Sequence, residues 1–357
     1  MSKGVISRGV SAPIIKEGDN IVDIVVDSIL KETEVREGKG IYYDLNDRDI
    51  IGITESVVAR SAGQYVTVDD ITKDIVFKYG PASVINVINP IYSRNRFAMI
   101  LKGIARAASK IVFTMPDYDE VGNPSGVNQF TGINIKDYYK QICENEGCEA
   151  LFFNDDTIDT PNKLYCGLHD YIGWKETHIP PMGRTDGVKC YTLADICSNV
   201  SPDWGLLGTN KATEEKLKLF PSKKEAQRVC DEIKNKLFEK TGVNVIVCVY
   251  GDGCFKDPVG GIWEFADPIT MPAYTDKELM ESTPNEIKLK AFIDQGISEE
   301  SIQKLIDQKD KKLIGSMASQ GTTPRLFRDL LASLMDLTSG SGDRATPIIL
   351  IQNYFRS

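Results

Sequence analysis

The sequence predicts a mixed protein of α-helices and β-strands, interrupted by a central stretch of different character. Three observations carry that expectation. Before Pro116, apolar runs of strand length alternate with segments of helical period. After Pro221 the same alternation returns with sharp helix-start and helix-stop signals. Between them the chain is rich in Gly, Asn, Asp and Pro, with short apolar bursts such as Ala150-Leu151-Phe152-Phe153.

Gly18-Asp19-Asn20 reads as a turn leading into a helix in which Ile21, Ile24, Val25 and Ile29 share one face. Residues 49–54, DIIGIT, read as a strand, and the following ESVVARSAG as a helix closed by Gly63. ASVINVINPIY, from Ala82, is strand-like. RFAMILKGIARAASK, from Arg96, reads as a helix, and IVFTM, from Ile111, as a buried strand. The central stretch reads as an insertion or lid of loops and short elements, since a structureless run of that length is uncommon in a compact domain. Beyond it, Ser222 and Glu225 form a capping box for a helix. Ala226, Val229, Ile233 and Leu237 line its buried face, and Gly242 ends it. A strand follows from Val243 to Tyr250. Thr283-Pro284 with Glu286, and Thr323-Pro324, open two more helices. The loop TSGSGD then leads to a last strand, PIILIQNYF.

At 357 residues the chain is long enough for two domains, or for one large domain with an insertion. Apolar residues make up 41% and charged residues 26%, as in ordinary globular proteins. A net charge of −9 disfavours nucleic acid or an anionic membrane as the main partner. No apolar stretch approaches the length of a bilayer span, and MSKGVISRGVSAP has no apolar core of a secretion signal. The eight cysteines are dispersed without a CxxC pair, which fits a reduced, cytoplasmic protein.

Several stretches can carry chemistry, and each has a plainer reading beside it. After the apolar strand, Gly251-Asp252-Gly253 delivers a carboxylate into a glycine-rich loop with Lys256 shortly beyond. Asp is a hard oxygen ligand suited to Mg2+ or Mn2+, and glycine allows close approach of a cation or phosphate. The alternative is a tight turn with a solvated aspartate. Thr54, Glu55 and Ser56 stand where a strand passes into a helix N-terminus, a place that suits anions and equally suits ordinary caps. Gly321, Thr322 and Thr323, with Arg325 and Arg328, invite the same two readings. Arg94-Asn95-Arg96 offers guanidinium forks for phosphate or carboxylate, or a solvated basic loop. Gly340, Gly342 and Asp343 can form an anion nest or a plain helix-to-strand connection. His169 and His178, with Cys166 and Cys190, fit no zinc spacing well.

In order along the chain, these stretches resemble the coenzyme F420-0:L-glutamate ligase (γ-glutamyl ligase) family. IKEGDNIVDIVVDSIL is similar to its opening turn and helix. DIIGITESVVARSAGQY is similar to its strand and following segment, with Arg60 at a family lysine. KTGVNVIVCVYGDGCFKDPVGG places Asp252 at a metal-ligand aspartate and Lys256 near family basic residues. LLASLMDLTSGSGDRATPIILIQ is similar to its last helix, turn and strand.

The resemblance implies an α+β fold of mixed sheets with packed helices, two-lobed, with a central insertion. It divides the chain into residues 1–115, an insertion or lid at 116–205, and residues 206–357. It implies a cytoplasmic homodimer that uses GTP, or ATP, with Mg2+ or Mn2+. A carboxylate is activated as an acyl phosphate and joined to L-glutamate or another amine. Asp252 and Lys256 become the expected catalytic residues, with Asp252 on the metal. Thr54, Ser56, Arg60, Asn210, Gly251, Gly253, Gly340 and Gly342 become the phosphate contacts, and Arg94, Asn95 and Arg96 the substrate contacts.

Two acidic positions of the family pattern are absent. Gly208 stands where an aspartate precedes the match at Asn210. Leu326 and Phe327 stand where an acidic pair opens the last helix, and Asp329 is the carboxylate that follows. Replacement ligands from the insertion would be Asp155, Asp156, Asp170, Glu176 or Asp186. The alternative function is a non-catalytic protein binding a phosphorylated metabolite or a protein partner on the same scaffold.

Overall fold

A computed structural model describes residues 4–33, 44–92, 96–119, 122–127, 132–155, 160–177, 187–251, 254–256, 263–265, 269–281, 294–301, 304, 326–339 and 346–355. In chain order its elements begin with β1 (Ile6–Val10), α1 (Ile21–Thr33), β2 (Ile50–Thr54), α2 (Glu55–Ser61), β3 (Tyr65–Thr67), α3 (Val68–Tyr79), β4 (Ser83–Ile88) and α4 (Arg96–Ala107). There follow β5 (Ala108–Thr114), α5 (Ile135–Asn145), β6 (Glu149–Phe153), β7 (Asn162–Tyr165), α6 (Leu168–Thr177), β8 (Lys189–Thr192), β9 (Asn210–Lys211) and β10 (Lys216–Lys218). The chain continues with α7 (Lys223–Thr241), β11 (Ile246–Tyr250), β12 (Cys254–Lys256), β13 (Trp263–Phe265), β14 (Ala273–Tyr274), α8 (Phe327–Ser339) and β15 (Ile348–Gln352).

These elements form the expected α+β architecture in two lobes. The first lobe is built on a mixed sheet ordered β1-β15-β2-β11-β14. Within it β2 and β11 run parallel, and the other neighbours run antiparallel. Both faces are covered, which is why β2 and β11 read as nearly continuous apolar runs. Because successive side chains point to opposite faces, Ile51, Ile53, Val247 and Val249 pack with α1 and α7. Ile50, Ile246, Cys248 and Tyr250 pack on the other face with Leu331 and Met335 of α8. On α1, Ile21, Val22, Val25 and Ile29 are buried, while Ile24 lies at the margin of the core. Helix α7 is capped by Ser222, whose hydroxyl accepts the Glu225 N–H at 3.2 Å, and it stops at Gly242, where φ is 72°. Gly52 is a packing requirement: a Cβ there would lie 2.3 Å from Sδ of Met335.

The second lobe runs from Tyr65 to Phe220. Its sheet is ordered β6-β5-β4-β7-β8, and every pairing is parallel. Helix α4 joins β4 to β5, α5 lies between β5 and β6, and α6 lies between β7 and β8. The chain winds outward from β4 to β6, then resumes at β7 on the other side of β4. That reversal is the topological switch point of an open α/β sheet. Ile85, Val87, Phe97, Leu101, Phe113 and Tyr139 belong to its core. Helix α3 opens with a reciprocal capping box between Thr67 and Asp70.

This lobe corrects the expectation of loops and short elements. The apolar burst at Ala150–Phe153 is a strand of a parallel sheet, not an isolated fragment. The expected breaks at 115/116 and 205/206 fall inside the lobe. Thr114 of β5 pairs with Phe153 of β6, and Leu217, Leu219 and Phe220 share a core with Ile85. Helix α4 also stops earlier than expected, at Ala107, because Ala108 to Lys110 already belong to β5. The chain enters the lobe through β3 and leaves through β10. These strands pair antiparallel, Tyr65 opposite Lys218, with β9 alongside. The Leu219 N–H donates to the Gln64 carbonyl at 2.9 Å, closing a narrow neck.

Candidate active site

The parallel register of β2 and β11 sets Tyr250 opposite Thr54, so both strands end at the same edge of the mixed sheet. One residue on, β2 becomes α2 at Glu55 and β11 becomes Gly251. Thr54 takes the extended geometry of an N-cap, φ −64° and ψ 137°, but its hydroxyl makes no capping bond. Ser56 follows in the first turn of α2, half-buried, and Arg60 is exposed in its last turn. The Gly251 N–H donates to the Thr270 carbonyl at 2.9 Å. The Thr270 hydroxyl in turn donates to Oδ1 of Asp329 at 2.6 Å. Helix α8 therefore brings a carboxylate to the end of β11, from its first turn.

Behind the start of α2 lies a buried ion pair. Nζ of Lys218 donates to Oε1 of Glu55 at 2.9 Å, with the two side chains 6% and 1% exposed. Oε2 of Glu55 has no hydrogen-bond partner among the described residues. Burial pushes the Glu55 carboxyl above its usual value, and the neighbouring ammonium of Lys218 offsets part of that rise. In the sheet register Lys218 stands opposite Asn210, so β9 brings Asn210 to the same corner. In the sequence Glu55 reads only as part of a helix start, and Lys218 stands in no motif. The available signal was KLKLF, residues 216–220, where a lysine alternates with two leucines of a buried strand.

The structure thus gathers Thr54, Ser56 and Gly251 at one sheet edge, and ties Asn210 to it through the ion pair. Arg96 opens α4 on the second lobe, after β4, and is half-buried. Lys256 lies in β12, opposite Trp263 of β13. Asp252, Gly253, Arg94, Asn95, Gly340 and Gly342 lie outside the described residues, as do Asp156, His178, Asp186, Gly321, Thr322, Thr323, Arg325 and Asp343. Of the substitute carboxylates, Asp155 and Glu176 are exposed and Asp170 is buried at the end of the parallel sheet. His169 is exposed while Cys166 is buried. No group of three or more His, Cys, Asp or Glu among the described residues is arranged to hold a metal ion. No helix among them is long and apolar enough to cross a membrane.

The family model described as F420-0:Gamma-glutamyl ligase matches residues 9–353. No curated protein matches the chain.

Proposed function

We propose that this chain, which belongs to the F420-0:gamma-glutamyl ligase family, is a nucleotide-dependent amide ligase. It joins a small-molecule carboxylate to L-glutamate or another amine, through an acyl phosphate made with GTP or ATP. The observation that supports this reading is the parallel register of β2 and β11, which brings the start of α2 and Gly251, the residue after β11, to the same end of the mixed sheet.

In this reading Thr54, Ser56, Arg60, Asn210, Gly251, Gly253, Gly340 and Gly342 contact the phosphates. Arg94, Asn95 and Arg96 hold the anionic acceptor, and Lys256 neutralises charge on the transferred group. The described side chains do not by themselves make a metal site. Asp252 with Asp329 is the carboxylate pair that would hold Mg2+ or Mn2+, which would neutralise phosphate charge when bound. The enzyme works as a cytoplasmic homodimer.

The test is thermal unfolding of the full chain with GTP or ATP, each with Mn2+. Binding to the native state raises the melting temperature by mass action. The expected result is a rise with at least one nucleotide–metal pair that chelator removes and Asp252→Asn abolishes. Coupled assays then detect phosphate release dependent on glutamate. Absence of any shift at millimolar ligand overturns the ligase reading. A shift indifferent to chelator and to Asp252→Asn favours the non-catalytic binding protein instead.

A further inference from the structure

Where the strand order of the second lobe reverses, between β4 and β7, a cavity of about 250 Å3 opens beyond the strand ends. Its lining comes from the segments that follow β5, β4 and β7, the three central strands. Open parallel sheets bind ligands in the crevice at this point, outside the carboxyl ends of the strands.

The lining is built rather than incidental. Asn89, the residue after β4, has a left-handed backbone with φ 50°, a conformation asparagine tolerates better than most residues. Its N–H donates to the Thr114 carbonyl at 3.1 Å, tying the end of β4 to the end of β5. Its side-chain amide donates to Oδ2 of Asp170 at 3.1 Å, and Asp170 is only 7% exposed. Across the cavity Asp119 is fixed by the Tyr92 N–H at 3.2 Å and by Asn123, through its N–H at 2.7 Å and its amide at 2.8 Å. Pro90 and Pro116 supply an apolar wall, and Tyr118 stands at the rim, 64% exposed.

We propose that this crevice binds a ribonucleoside, with the ribose hydroxyls donating to Asp119 and Asp170 and the base stacked on Tyr118. Asp119 follows the second strand in the winding order, β5, the place from which acidic residues of doubly wound sheets meet a ribose hydroxyl. Tyr118 presents a large aromatic face to solvent beside that carboxylate, and such faces stack on any base. The sequence between β4 and α4, residues 89–95, contains no glycine, unlike the glycine-rich fingerprint of dinucleotide-binding sheets. That difference favours a nucleoside over a dinucleotide.

The test is calorimetric titration of the full chain, in chelator, with adenosine and guanosine, and with the 2′,3′-dideoxy form of whichever binds. The expected result is saturable binding of at least one ribonucleoside without metal. The dideoxy form and the Asp170→Asn variant bind more weakly. Tyr118→Ala lowers affinity about tenfold, the scale of one lost base stack, and as an exposed position it leaves the melting temperature unchanged. No binding at millimolar nucleoside overturns the proposal, as does binding that requires metal or is indifferent to Tyr118→Ala. The ligase reading fails separately: Asp252→Asn, which tests that reading, leaves nucleoside binding in chelator unchanged.

Discussion

The two lobes solve the same problem, a covered β-sheet, by opposite means. The parallel sheet of the second lobe takes all its strands from one continuous stretch, Ser83 to Thr192. The mixed sheet takes β1 and β15 from opposite ends of the described chain and sets Ile6 opposite Gln352. A local sheet of this kind can be inserted whole, because only its two connecting strands must be accommodated. A sheet assembled from distant segments needs every one of them. The neck formed by β3 and β10, with the Glu55–Lys218 pair behind it, is where the local unit is spliced into the dispersed one.

Cutting that splice should have the largest effect. Lys218→Met leaves a buried carboxylate without its cation, which typically costs about 3–5 kcal/mol, measured by urea unfolding. Adding Glu55→Gln should restore most of the loss, since an uncharged pair no longer carries an unpaired charge. If the lobes are energetically separate, the single variant should also split one unfolding transition into two.

The next effect is confined to the mixed-sheet lobe. Gly52→Ala drives a methyl group into Met335 and should cost about 1–3 kcal/mol by overpacking. In a double-mutant cycle with Met335→Ala the cost of Gly52→Ala should shrink, because the side chain it strikes is gone. The second lobe's near-ultraviolet signal from Trp204, which is buried there, should be unchanged.

A smaller effect marks the other side of the neck. Thr67→Ala removes the cap of α3 and should cost about 1 kcal/mol. The partner carboxylate gives a pH signature. The Thr67 hydroxyl, ahead of its N–H, holds the Asp70 carboxyl below its usual 3.8. Its stabilisation is therefore present above that value and lost as pH falls through the lower folded value. Glu55 works in the opposite sense. Burial raises its carboxyl above 4.5, so the stability linked to it is full at acid pH and declines as pH rises through the raised value. Asp70→Asn should flatten the acid limb of a stability–pH curve, while the double variant at Glu55 and Lys218 should remove a loss at higher pH.

What could be read from the sequence differs between the lobes for physical reasons. Helices α1 and α7 and strands β2, β11 and β15 announced themselves, because long apolar runs and strong caps are local signals. In the second lobe, β7 and β8, NKLY and KCYT, are short and partly polar, and a parallel order leaves no turn signature between neighbours. The site divides in the same way. Thr54, Ser56 and Gly251 stand in recognisable strand-to-loop junctions. The Glu55–Lys218 contact joins residues 163 positions apart, and spacing along a chain carries no information about such a meeting.

The placement of β15 between β1 and β2 has a consequence for biosynthesis. During translation, the stretch forming the parallel sheet leaves the ribosome complete while α7, β11, α8 and β15 are still unmade, and units of that kind fold as they emerge. Strand β1 must wait, because the neighbour it pairs with, β15, is made after every other strand of the two sheets. The nascent protein therefore carries β1 and one side of β2 exposed until β15 emerges, and that interval is when a chaperone would be needed.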